Sequence, residues 1–147
     1  MTSSDKPAAS RVEPPFSELS EWLGWQETAA PKEIDLGLER CRKVAKSLNI
    51  DLGNAIVVTV AGTNGKGSSV AMLERTWITA GYNVAAYTSP HMIAYNERMR
   101  FGGVPLSSDK ICGAFQKIEE HRGDTHLTYF EYGTLAALSL FQELEPD

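Results

Sequence analysis

The run Ala61-Gly62-Thr63-Asn64-Gly65-Lys66-Gly67-Ser68 places three glycines, a lysine and two hydroxyls within eight residues. Glycines let a backbone turn sharply and bring its N–H groups close to an anion. The lysine adds a compact positive charge. Together they suit a phosphate chain, with Lys66 reaching the β- and γ-phosphates. The strict pattern G-x-x-x-x-G-K-[ST] is not met, because Val60 stands at the first glycine and Gly67 follows the lysine. Ser68, one place later, can supply the missing hydroxyl. Gly62, Thr63, Asn64, Gly65, Lys66, Gly67 and Ser68 are therefore the candidate nucleotide loop.

Other residues have chemistry that is open at this point. Ser89, before Pro90, is a turn residue or a hydroxyl for a hard cation. His91 suits a solvated loop equally well. Arg98 and Arg100 could steer a phosphate or carboxylate, or simply face water. The run Thr128-Tyr129-Phe130-Glu131 offers two rings that could stack on a flat ligand and a carboxylate that could accept from ring N–H groups. Its alternative is core packing at a helix start, with Glu131 favoured by the dipole.

The elements that must position these groups follow from periodicity. Phe16, Leu19, Trp22 and Leu23 predict a short amphipathic helix. Asp35 is a candidate cap for a second helix to about Leu48, with Leu38, Cys41, Ala45 and Leu48 on one face. Residues 55–61 (AIVVTVA) form a short, continuous, β-branched run, as in a strand buried on both faces of a parallel sheet. A helix to about Ala80 follows the glycine loop, with Val70, Leu73 and Trp77 as its stripe and Gly81 at its C-terminal cap. A second strand covers about Val84 to Thr88, completing a βαβ unit. Residues 90–105 read as irregular. Ser107 or Ser108 caps a helix to about His121 with Ile111, Phe115 and Ile118 inward, and a last helix runs from about Tyr132 to Glu143. Five helical segments beside two strands are few strands for a doubly wound sheet, so the fold looks open, as if cut off before its sheet is finished.

Composition narrows the class. The chain has 147 residues, 42 % hydrophobic and 22 % charged, with a net charge of −5. Those values fit a globular α/β domain and exclude a mainly disordered chain. The acidic balance argues against nucleic acid or an anionic membrane as the main partner. No apolar run approaches the roughly 18 residues of a membrane helix. Residues 1–15, rich in Ser, Ala, Pro and charge, read as a flexible tail, leaving 16–147 as the folded part. Cys41 and Cys112, far apart, read as reduced thiols of a cytoplasmic protein.

The loop A-G-T-N-G-K-G-S resembles that of the folylpolyglutamate synthase and dihydrofolate synthase family, within the Mur-type amide ligases. Ile34-Asp35-Leu36-Gly37-Leu38-Glu39-Arg40, Thr88-Ser89-Pro90-His91, Asn96-Glu97-Arg98-Met99-Arg100 and Leu127-Thr128-Tyr129-Phe130-Glu131-Tyr132-Gly133-Thr134 resemble four further family segments, in order, from about Trp22 to Phe141. The last is most similar to bacterial bifunctional members. The resemblance implies a P-loop, Mur-ligase-like central domain with a mostly parallel sheet, here only its first strands and helices. It implies an ATP- and Mg²⁺-dependent ligase that joins L-glutamate to dihydropteroate and extends the γ-glutamyl chain of tetrahydrofolate through an acyl phosphate. It implies Lys66 as the catalytic lysine and Ser89 as a Mg²⁺ ligand. Glu33, Ile34, Asp35 and Leu36, with Thr128, Tyr129, Phe130 and Glu131, would contact dihydropteroate.

A later family segment with a Mg²⁺-binding glutamate, a metal-binding histidine, a carbamylated lysine and a C-terminal domain have no counterpart in these residues. Little or no ligase activity is therefore expected of this chain alone. A monomer is expected. The alternatives are a Mur-type ligase of a cell-wall precursor, which typically has Thr where Gly67 stands, and an ATP-binding module without catalysis.

Overall fold

Helices α4 (Ser108–Arg122) and α5 (Tyr129–Leu144) carry the core of the computed structural model, which describes residues 14–29 and 37–147. Both begin where side chains can take up free backbone donors. The Ser107 hydroxyl accepts from the Lys110 N–H at 3.5 Å. Thr128 Oγ1 accepts from Glu131 N at 3.2 Å while Glu131 Oε2 accepts from Thr128 N at 2.8 Å, a reciprocal capping box. Ile111, Phe115 and Ile118 are fully buried, as predicted, and face Leu135, Ala136 and Leu140 of α5. The last helix starts at Tyr129, three residues earlier than its apolar pattern indicates, because the capping box fixes the first turn.

Helices α1 (Leu19–Ala29) and α2 (Glu39–Ser47) close this core from one side. Trp22 is fully buried, and its Nε1 donates to the Phe16 carbonyl at 3.0 Å. The α2 start differs from expectation: Leu38 occupies the N-cap position without a side-chain bond, and Asp35 lies outside the described residues. The buried face is also rotated. Val44 and Leu48 are buried, Cys41 and Ala45 pack partly, and Leu38 is 59 % exposed.

Helix α3 (Lys66–Thr79) ends as predicted. Gly81, at φ +95°, donates to Ile78 O, and Tyr82 N donates to Trp77 O at 3.1 Å, the paired bonds of a Schellman cap. Val70, Leu73 and Trp77 are half-buried, and Glu74 is the buried residue of this helix.

Strands β1 (Ala85–Tyr87), β2 (Met99–Phe101) and β3 (Val104–Pro105) form an antiparallel meander, with Ala86 opposite Arg100 and Phe101 opposite Val104. This corrects two expectations. Residues 90–105 are ordered: Tyr95–Arg98 is a 3₁₀ turn, and β2 and β3 form a hairpin. Gly102 and Gly103, at φ +60° and +80°, supply the two left-handed residues such a two-residue turn requires.

Residues 55–61, predicted as a doubly buried parallel strand, pair in no ladder among the described residues. Ile56, Val57 and Val58 are 81 %, 69 % and 50 % exposed. Asp147 lies between this segment and Asn83, just before β1: Ile56 N donates to its carbonyl at 3.0 Å, and its own N–H donates to Asn83 O at 3.0 Å. One backbone crossing does not make a ladder, and the segment stays open to solvent. The chain is α/β as expected; among the described residues the predicted parallel partner of β1 is unpaired, and β1 pairs instead with β2 in the stretch expected to be irregular.

Gln26 of α1 is 1 % exposed, and neither Nε2 nor Oε1 has a partner among the described residues. Each buried, unpaired polar atom costs free energy without return. Gln26→Leu keeps the side-chain volume and removes both. It is expected to stabilise the chain by about 1–2 kcal/mol, read as a higher midpoint in urea unfolding; a lower midpoint would show that the amide is satisfied in solution.

Candidate functional site

The glycine loop opens directly into α3. Gly65 holds the N-cap position at φ +76°, in the left-handed region open chiefly to glycine. The first bond of the helix runs from Ser69 N to Gly65 O at 2.9 Å. The N–H groups of Lys66, Gly67 and Ser68 precede it and have no carbonyl behind them within the helix. They and the positive end of the helix dipole meet at one exposed mouth. All seven residues from Gly62 to Ser68 are exposed. Lys66 Nζ bonds the Gly62 carbonyl and, at 3.2 Å, the Thr63 carbonyl, so the ammonium folds back over its own loop. An anion at this mouth would meet backbone donors and an ammonium together. The geometry fits a phosphate group.

Ser89 is exposed immediately after β1 and Thr88. Beyond it the chain is braced by Glu97, whose carboxylate accepts from the N–H groups of Met92, Ile93 and Ala94 at 2.8, 2.9 and 2.8 Å. The bonds from Met92, Ala94 and Ile93 hold the Glu97 carboxyl below its ordinary value of 4.5. Among the described residues no group of three His, Cys, Asp or Glu could hold a metal. A Mg²⁺ ion at Ser89 would therefore take one hydroxyl from these residues and most of its roughly six oxygens from phosphate and water.

Arg98 is buried. Its Nε donates to His91 Nδ1 at 2.8 Å, and its guanidinium lies 5.3 Å from the Tyr95 ring centre and 5.6 Å from that of Tyr129. His91 thus has an acceptor role at Nδ1. Arg100 is not solvated either: it pairs with Glu74 of α3.

The Thr128–Glu131 run divides. Thr128 and Glu131 form the helix cap, and Glu131 Oε1 also accepts from Arg40 Nε at 3.2 Å. Tyr129 is half-buried edge-on to Tyr95. Phe130 is 55 % exposed with Tyr87 beside it, ring centres 6.2 Å apart, so it presents the open aromatic face of the four. Glu33, Ile34, Asp35 and Leu36 lie outside the described residues. Burial, joined at Cys41 by the nearby Glu131, pushes both thiols up, away from nucleophilic use.

Glu74 and Glu97 were not singled out in the sequence. Glu74 shares the helix face of Val70 and Trp77, and a carboxylate on an apolar stripe needs a partner. That much was visible, but which partner was not. Glu97 sits inside a motif whose arginines attract more notice.

A phosphate-type loop at the mouth of α3, with helices packed beside a small sheet, defines an α/β chain with a candidate nucleotide site. No family model matches the chain. It is 47 % identical over 131 residues to the dihydrofolate synthase/folylpolyglutamate synthase of Escherichia coli K12, covering 89 % of this chain and 31 % of that protein. The Haemophilus influenzae protein of the same name is 41 % identical, with 89 % of this chain and 30 % of the relative covered. Among solved structures, E. coli FolC in complex with DHPP and ADP superposes with a TM-score of 0.85 at 47 % identity, over 89 % of this chain and 32 % of that one. The Yersinia pestis bifunctional enzyme with AMPPNP and Mn gives 0.86 at 43 % identity, over 92 % of this chain and 33 % of that one. The chain is similar to these dihydrofolate synthase/folylpolyglutamate synthases along most of its own length and spans about a third of theirs. Among the described residues no helix is long and apolar enough to cross a membrane.

The Glu97 brace has a pH signature. A carboxylate with a lowered folded pKa contributes order above its unfolded value and loses it as pH falls through the folded one. The amide resonances of Met92, Ile93 and Ala94 are expected to hold steady above pH 4.5 and to move toward random-coil positions below it. Glu97→Gln should shift the same three at neutral pH; unchanged resonances in that variant would remove the brace.

Proposed function

We propose that this chain is the nucleotide-binding part of an ATP-dependent amide ligase of folate synthesis. The observation that carries this is the Gly62–Ser68 loop at the mouth of α3, in a chain 47 % identical to a dihydrofolate synthase/folylpolyglutamate synthase. Complexes of relatives with ADP and DHPP, and with AMPPNP and Mn, support ATP and a divalent metal as its ligands. A relative with L-glutamate bound supports the amine substrate.

In this reading a carboxylate oxygen of dihydropteroate attacks the γ-phosphorus of ATP. An acyl phosphate forms and ADP leaves. The glutamate amine then attacks the acyl carbon, giving an amide and phosphate; addition of γ-glutamyl units to tetrahydrofolate follows the same steps. The loop amides from Gly62 to Ser68 hold the phosphate chain. Lys66 offsets charge on the γ-phosphoryl group as it transfers. Ser89 contributes its hydroxyl to Mg²⁺, which supplies charge neutralisation when bound. Thr128, Tyr129, Phe130 and Glu131, with Glu33, Ile34, Asp35 and Leu36, are the proposed pterin contacts, and Phe130, exposed beside Tyr87, offers the stacking surface.

Residues 16–147 would form one part of the ATP-binding domain, preceded by the 1–15 tail. ATP, folates and two unpaired thiols point to the cytoplasm. The exposure of Ile56, Val57 and Val58 supports a sheet completed by residues beyond those present, and hence little or no ligation by this chain alone.

Calorimetry tests this directly. The chain should bind MgATP, and Lys66→Ala should weaken binding about tenfold or more, the worth of a hydrogen bond to a charged group. Incubation with ATP, dihydropteroate and glutamate should release no phosphate. Unchanged affinity in the variant would remove Lys66 from the site, and phosphate release would show that these residues suffice for the chemistry.

A further inference from the structure

We infer that Arg100 is a positioning residue that sets the Ser89 loop against the helix carrying the phosphate loop. Its Nε lies 3.2 and 3.1 Å from the two carboxylate oxygens of Glu74, and its Nη2 donates to Oε2 at 2.8 Å. Glu74 stands on α3, two turns beyond Lys66. The other terminal nitrogen, Nη1, donates to Thr88 Oγ1 at 3.0 Å and to the Glu97 carbonyl at 2.8 Å. Thr88 directly precedes Ser89. Glu97 is the residue whose carboxylate braces Met92, Ile93 and Ala94 on the far side of Ser89. One guanidinium thus joins the nucleotide helix to both ends of the segment holding Ser89.

A purely structural ion pair does not need this arrangement. The side chains of Glu74 and Arg100 are 8 % and 18 % exposed, and a buried pair of that kind is often replaceable by apolar packing. The fork–fork contact with Glu74 would satisfy the pair alone. Instead the second arm of the fork is spent on Thr88 and the Glu97 carbonyl, which lie at the loop and not on α3. Lysine, a point charge, could not span the three acceptors at once. The two arginines of the motif part ways: Arg98 closes the 3₁₀ turn and meets His91 and the tyrosine rings, while Arg100, two residues on in β2, meets α3.

This inference rests on the nucleotide reading above, and calorimetry separates the two. ATP affinity is measured with and without Mg²⁺ for the chain and for Thr88→Val, Arg100→Lys and Ser89→Ala. The unchanged chain should bind ATP more tightly with Mg²⁺. Thr88→Val keeps the Glu74–Arg100 pair and α3 intact, so its unfolding midpoint and its metal-free affinity should match the unchanged chain. Its Mg²⁺-dependent gain should fall about tenfold, as in Ser89→Ala. Arg100→Lys should behave alike. A full Mg²⁺ gain in Thr88→Val and Arg100→Lys, beside a loss in Ser89→Ala, overturns the positioning role and leaves the nucleotide reading standing. No ATP binding by the unchanged chain overturns both.

Discussion

A helix cannot satisfy its own first backbone donors. In α3 this constraint falls on Lys66, Gly67 and Ser68, because the helical bonds begin at Ser69. The left-handed Gly65 turns the incoming chain away and leaves the mouth clear. Lysine at the first helical position adds charge at the point where the dipole is already positive. Much of the remaining structure serves to hold this mouth in place against the loop after β1.

The support is layered. Helices α4 and α5 bury Ile111, Phe115, Ile118 and Leu135 completely. β1 packs on α5 through Tyr87, and β2 hydrogen-bonds to β1. α3 rests on β1 and is tied to β2 by Arg100 and Glu74. The phosphate loop is thus two steps removed from the core, and the tie between them is polar. Aromatic packing of Tyr95, Tyr129 and Phe115 fixes the far side of the same loop, with Arg98 resting on two of those rings.

The local features were legible in the sequence. Ser107 and Gly81 cap their helices, and glycines lead the chain into α3, because each depends on neighbours a few residues away; the Thr128–Glu131 capping box went unread behind an apolar pattern that starts at Tyr132. Residues 55–61 were misread for the opposite reason. Their β-branched composition describes a buried strand, but burial depends on partners elsewhere in the chain, and Asp147 supplies a single crossing there. The hairpin at Gly102–Gly103 had a local sign that proline and arginine on either side obscured. The roles of Arg98 and Arg100 could not be read at all. One arginine of the motif closes a 3₁₀ turn and the other lies in β2, and only the tertiary packing shows which meets Glu74 and which meets His91.

The central claim is that a phosphate chain docks on the free amides at the mouth of α3. Amide chemical shifts of the labelled chain, titrated with MgATP, test it most directly. The account predicts saturable shifts concentrated at Gly65, Lys66, Gly67 and Ser68, with smaller ones at Ser89. Saturable shifts confined to α4 and α5, or none at the α3 mouth, would contradict it.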